Sequence, residues 1–302
     1  MLESNLDHDG KLMTKKTPVL SILLPTYNYK DGVLRILNRI EALLCHEVEI
    51  IIGDNSSNQS IKEAVNPFLD AFSSQIFYQW NNPTKSPIEN WNWLVNTAKG
   101  EYLMMIHHDE FPENEKTILE ILNKLHDDPS IDAILLNCHL VYKKKRFTVK
   151  HFNTKLRDFL IRNNPNYLYR RNLIGPTAIV VARKSLYPLF DESLIWLVDV
   201  DIYARLFQKG IKWISCSGII YSEQERSDSL TGGLGSSIAA KRTSELQYLR
   251  DRESTKDLWF GSYESEPIQN KCFRMLEALI WYSYRAFTRG LARVRFWSHR
   301  AK

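Results

Sequence analysis

The chain has little of what would build a cross-linked, repetitive or membrane-spanning fold. Its 302 residues include 4 cysteines, Cys45, Cys138, Cys216 and Cys272, with no Cys-x-x-Cys spacing. This argues against a zinc ribbon and a disulfide framework, and a reducing cytoplasm is the expected compartment. No run approaches the roughly 18 apolar residues of a transmembrane helix. Met1 to Thr17 is polar and mixed in charge, so it reads as a flexible N-terminus with no signal peptide. Internal repeats and low-complexity segments are absent too. What remains, 44% hydrophobic and 25% charged, is an ordinary globular composition able to bury a substantial core.

The net charge of +5 is unevenly placed. Residues 268–302 hold eight cations (Lys271, Arg274, Arg285, Arg289, Arg293, Arg295, Arg300, Lys302) against Glu277, a net +7, which leaves −2 for the rest. On a helical period Phe273, Leu276, Ile280, Tyr284, Phe287, Leu291 and Val294 form one stripe, and the arginines form another. Such a helix suits an anionic membrane surface; packing on the body or on a second subunit is the other reading. Three segments follow: residues 1–17, a body at 18–260 and a basic amphipathic tail at 261–302. A body of acidic balance without a recognition motif predicts no nucleic-acid partner.

Short β-rich runs at 19–24 and 48–52 flank a helical pattern from Val33 to Leu44. Helices at Ser60–Phe72 and Ile88–Ala98 then lead to strands at Ile76–Trp80 and from Tyr102. This alternation predicts an α/β fold with a mostly parallel central sheet, helices on both faces and a C-terminal helical tail. Further on, the pattern gives a helix at Glu115–His126, strands at Ala133–Leu136 and Thr177–Ala182, and a helix at Val200–Gln208. The basic, Asn-rich stretch from Lys143 to Asn172 has no clear period. Ser227–Ser237 reads as a mobile loop.

Polar residues gather where the first strands end. Strand one runs into Pro25-Thr26-Tyr27-Asn28 and strand two into Gly53-Asp54-Asn55-Ser56-Ser57. Tyr27 offers a ring for a base and Asp54 an acceptor for a base imide, although turn chemistry alone favours the same residues. The apolar run from Gly100 to Ile106 ends in His107-His108-Asp109-Glu110, whose hard oxygen donors suit Mg2+ or Mn2+ shared with a diphosphate. His108 should face away from its neighbours and be a packed histidine.

With these segments stand Asn96-Thr97-Ala98-Lys99-Gly100-Glu101-Tyr102, Phe190-Asp191-Glu192-Ser193-Leu194 and Asp199-Val200-Asp201-Ile202-Tyr203-Ala204-Arg205-Leu206. Together, in this order over residues 18–225, they resemble an inverting family 2 glycosyltransferase of the GT-A (Rossmann-like) fold. The resemblance implies that Pro25, Thr26, Tyr27, Asn28, Asp54, Asn55, His107 and His108 line the nucleotide pocket. It also implies that Asp109 holds the metal, with His107 where the family has its first aspartate. Asp199 would be the general base, with Val198 where a glutamate is usual; a helix-capping Asp199 is the compatible structural reading. Glu110, Gly175 and Thr177 would lie on the acceptor or donor-sugar side, and Arg226 could close over the diphosphate or be a plain surface arginine. Asp201 and Arg205 are expected to tie their helix to the sheet.

The expected activity is transfer from a nucleotide-diphosphate sugar, UDP-linked, to a lipid-linked saccharide in surface-polysaccharide synthesis. The enzyme would sit peripherally on the inner face of the cell membrane. The competing expectation is a non-catalytic sugar-nucleotide-binding scaffold of such an assembly complex, marked by the altered metal motif.

Overall fold

A computed structural model describes residues 17–44, 47–142, 147–224 and 238–253. Arg226, the 227–237 loop, Cys45, Cys272, residues 1–16 and the tail lie outside the described residues.

A nine-stranded sheet organises the chain. Strands β1 (Leu20–Thr26), β2 (Val48–Asp54), β3 (Ile76–Trp80) and β4 (Tyr102–Met105) pair in parallel, in the order β3-β2-β1-β4. Every residue of β1 and β4 is buried, which is why both read as apolar-rich rather than alternating, with only the buried Ser21 interrupting the apolar part of β1. Helices α1 (Lys30–Ile40), α2 (Ser60–Ala71) and α3 (Pro87–Thr97) carry the crossovers. Val33, Ile36, Leu37 and Ile40 bury one face of α1, at helical spacing. Ser86 and Glu89 close a capping box on α3, behind Pro87 at its first position.

Beyond β4 the sheet becomes mixed. Its order continues β8-β6-β9-β5, with β7 (Phe147–Lys150) paired to β6. Strand β8 (Val180–Arg183) runs against both β4 and β6, β9 (Trp213–Glu223) runs with β6 (Ala133–Tyr142), and the short β5 (Glu110–Pro112) runs against β9. Helix α4 (Glu115–Asp127) follows β5.

Several sequence expectations shift here. The Thr177–Ala182 run opens as a 3-10 turn, Thr177–Ile179, and only then becomes strand. The aperiodic basic stretch contains β7 and two helices, α5 (Thr154–Asn163) and α6 (Tyr167–Arg170). Helix α7 spans Val198–Phe207, and a last helix, α8 (Ile238–Glu253), packs Leu249 and Leu246 onto the body. Among the described residues no helix is long and apolar enough to cross a membrane.

Candidate active site

Strands β1 and β2 leave the sheet together, with Thr26 opposite Asp54. Asn28 takes the left-handed conformation, φ 47°, which asparagine tolerates better than most residues. There its N–H donates to Ser56 Oγ at 2.8 Å, and its Oδ1 accepts from the Ser57 N–H at 3.1 Å. The two loops are thus stitched side chain to backbone. Asp54 is fully buried: Oδ1 accepts from the Ser56 N–H at 2.8 Å and Oδ2 from the Tyr78 hydroxyl at 2.5 Å. Burial and the Asp54 carboxylate both push the Tyr78 phenol up, so it stays a donor. Asn55 is buried as well, donating to Lys85 O and accepting from Asn81. Asp54, the candidate base reader, and Asn55 therefore hold the turn, while Tyr27 stays about half exposed beside it.

The β1–β4 ladder continues past the strand, Ile106 N–H to Leu23 O at 2.8 Å, and then the chain splits its histidines. His108 Nδ1 accepts from the Tyr27 N–H at 3.2 Å and its ring meets Tyr29 edge-on, the packed role its alternation implied. His107 turns the other way. Its N–H donates to Glu110 Oε2 at 3.2 Å, its Nδ1 lies 3.0 Å from Thr177 Oγ1 and 3.4 Å from Glu110 Oε1, and its ring packs against Trp91. Burial lowers the His107 imidazole, but Glu110, Asp109 and Asp199 outweigh it and raise it to about 9. These carboxylates thus favour a positive charge on the ring, where the family pattern has a negative one. The Asp109 carbonyl accepts from the Glu223 N–H at 2.9 Å, joining the loop to the end of β9.

Helix α7 brings the third element. Its N-cap is Leu197, without a side-chain cap bond, so Asp199 is the second helical residue and not the cap. Burial pushes the Asp199 carboxyl up; the His107 charge opposes this while Glu110 and Asp109 add to it, leaving it at about 6. Asp199 is thus within electrostatic reach of the β4 loop. One short stretch wires the two. The Tyr203 hydroxyl donates to Gly175 O at 3.1 Å, and Thr177, two residues on, contacts His107. Gly175 sits at φ +105°, which a side chain would strain, and Asn172 closes the turn by accepting from the Ile174 and Gly175 N–H groups. Gly175, Thr177 and Glu110 are all buried, so they support His107 and α7 rather than line open space.

Asp201 is fully buried, accepting from Arg205 Nε at 2.8 Å, Arg252 Nη2 at 2.5 Å and the Tyr169 hydroxyl at 3.2 Å. Arg205 also reaches Leu189 O at 2.7 Å. The pair is structural, as expected from sequence, but its ties run to α6, the 189–191 segment and α8 rather than to the sheet.

The model of the family described as "Glycosyl transferase family 2" matches residues 21–187, more than half of the chain's 302. The chain belongs to that family. Abequosyltransferase RfbV of Salmonella typhimurium is 28% identical over 94 residues, 30% of this chain and 28% of that protein. The matched stretches cover 28% to 59% of the length of the first curated relatives. S. aureus TarS 1-349 in complex with UDP-GlcNAc superposes with a TM-score of 0.52 at 14% identity, covering 83% of this chain and 77% of that 1-349 chain. Mannosyltransferase PcManGT from Pyrobaculum calidifontis, in complex with GDP-Man and Mn2+, gives 0.51 at 12% identity, over 90% and 83%. These likenesses show the GT-A fold.

Several residues that shape this family 2 site gave no sequence signal. Glu223, at the end of β9, is buried and accepts from the Tyr29 hydroxyl at 3.1 Å and from Arg35. Trp91 packs on both His107 and Phe190. An unpatterned glutamate and one core aromatic among 8 tryptophans offer nothing to single them out.

Proposed function

We propose that the chain transfers a sugar, with inversion, from a nucleotide-diphosphate donor, with Asp199 as the general base. The observation that carries this reading is the place of Asp199 in the first turn of α7, within electrostatic reach of the His107–Glu110 loop, where burial first, and then Glu110 and Asp109 against the opposing His107, hold its carboxyl at about 6. A carboxylate of that strength is mostly ionised at neutral pH yet a better proton acceptor than a solvated one. The nucleotide rests against the stitched platform of Tyr27 and Asn28, whose shape Asp54 and Asn55 fix. The acceptor oxygen bonds to the anomeric carbon as the bond to the diphosphate oxygen breaks; the hydroxyl proton passes to Asp199 and the nucleoside diphosphate departs. The His107 imidazolium offsets part of the leaving charge from its buried seat.

Asp109 provides one hard oxygen ligand, and among the described residues no cluster of three or more metal-binding groups exists. That fits a Mg2+ or Mn2+ completed by substrate diphosphate and water rather than caged by protein. When bound it would supply further charge neutralisation on the diphosphate. Transfer measured across UDP- and GDP-sugars should fall at least ~100-fold in EDTA and in Asp109→Asn, an effect of the size of losing one preorganised charge-stabilising group. Full activity in EDTA would remove the cation from Asp109, and binding without turnover on every donor would favour the scaffold reading.

The donor is taken to be a UDP-sugar, in line with the TarS complex, and the acceptor a lipid-linked saccharide of surface-polysaccharide synthesis at the inner membrane face. Arg226 is assigned to the diphosphate. Support for the membrane comes from the sequence of 268–302, where each basic residue near an anionic surface contributes about 1 kcal/mol. Deleting 268–302 should abolish co-flotation with phosphatidylserine vesicles, and flotation by the truncated chain would dismiss this role.

A further inference from the structure

Helix α7 lacks a cap of its own, yet the backbone in front of it is not left bare. Glu245, from α8, reaches across with a carboxylate that is 2% exposed. Its Oε1 accepts from the Ile195 N–H at 2.8 Å and the Trp196 N–H at 3.2 Å; its Oε2 accepts from the Trp196 N–H at 3.0 Å and the Leu197 N–H at 2.8 Å. Three successive backbone donors converge on one side chain, two to four residues ahead of Asp199. Lys241 Nζ, at 3.7 Å, is the cation beside it. A second bond from the same helix holds the flanks: Arg252 spans Asp191 Oδ2 at 2.7 Å and Asp201 Oδ1 at 2.5 Å. Segment 191–201 is therefore gripped at its middle by Glu245 and at both ends by Arg252.

A buried carboxylate is costly to desolvate unless charge-assisted bonds compensate it, and here they come almost wholly from one turn of backbone. The local sequence could have capped α7 with a serine or aspartate at position 197, but leucine stands there and the acceptor comes from a helix some 50 residues on. We infer that Glu245 is a positioning residue for the general base, fixing through the 195–197 backbone the turn from which Asp199 projects. This rests on the reading of Asp199 as base. A shift of about 1 Å at a reacting group can cost up to two orders of magnitude in rate, so removing this hold should act on turnover rather than donor affinity.

The test is a double-mutant cycle on the full chain. Glu245→Gln keeps the shape but leaves one acceptor oxygen, and turns an amide N–H2 toward backbone donors. It should lower kcat between about 10- and 100-fold with the donor KM unchanged. In the Asp199→Asn background the same change should have no further effect on the residual rate. Equal fold-losses in both backgrounds, a change confined to KM, or full kcat in Glu245→Gln would each overturn the inference. Where Glu245→Gln gives no cooperative melt, Glu245→Asp, which keeps the carboxylate, takes its place in the cycle; failure of both to fold would assign Glu245 to the fold at large and overturn the inference as well. Undiminished turnover in Asp199→Asn alone strikes the base reading itself. A deep loss there, with Glu245→Gln losses that multiply, strikes only Glu245.

Discussion

Asp199→Asn is expected to lower kcat for sugar transfer by about 10²- to 10⁴-fold, the range for losing a general base, with donor binding retained. The acid limb of the wild-type rate should also disappear from what activity remains. The same substitution should stabilise the fold at alkaline pH. Asp199 is held at about 6 against an ordinary 3.8, so the fold prefers its protonated form. A raised acid contributes stability that is full below its ordinary value and is lost as pH rises through about 6. Asparagine cannot ionise and escapes that loss. Because the side chain is partly open to water, the gain should be discounted to about 2 kcal/mol at pH 8, vanishing near pH 4. Thermal melts at the two pH values and a transfer assay check both halves; unreduced kcat, or a variant less stable than wild type at pH 8, would remove Asp199 from this role.

Gly32→Ala should be nearly as severe, from a residue that touches no substrate. Gly32 is buried in the first turn of α1, where alanine would ordinarily strengthen a helix by about 1 kcal/mol. A Cβ there would lie 2.0 Å from the His108 carbonyl oxygen and 2.6 Å from the Tyr29 ring. The carbonyl is backbone, so either α1 lifts or the loop bearing Asp109 moves. Overpacking of this kind costs about 1–3 kcal/mol, and a shift of ~1 Å at Asp109 should cut kcat by about 100-fold. A variant that melts at or above the wild-type temperature and turns over normally would show that the helix and the loop are not in such close approach.

How far the sequence disclosed this molecule depended on what holds each element. Strands β1, β2 and β4 are almost wholly buried, and their apolar-rich runs, broken only by Ser21 in β1 and Glu49 in β2, announce them; the loops they feed carry Tyr27, Asn28 and Asp109 at the sheet edge. Strand β9, with the sequence Trp-Ile-Ser-Cys-Ser-Gly-Ile-Ile-Tyr-Ser-Glu, mixes buried and open positions with no steady period, and its ladder to β6 shifts register between Leu135 and Asn137. Helix α8 is fixed mostly by Glu245, Tyr248 and Arg252 rather than by an apolar stripe, so periodicity could not reveal it. The same holds for the site. Asp199 was readable within a motif, whereas its surroundings are set by His107, Thr177 and Glu110, which meet across as many as 70 residues of chain.

The grip of α8 on α7 also sets an order of assembly. Both loops of the nucleotide platform and the Asp109 loop lie within the first 110 residues, and the bonds that stitch them to one another join partners 28 to 81 apart, with Glu223 added later from β9. Glu245 and Arg252 reach the base segment only after a further 48 to 61 residues have followed it. In a chain made from its N-terminus, the clamp of Glu245 and Arg252 on the base segment is therefore the last of these ties that can form.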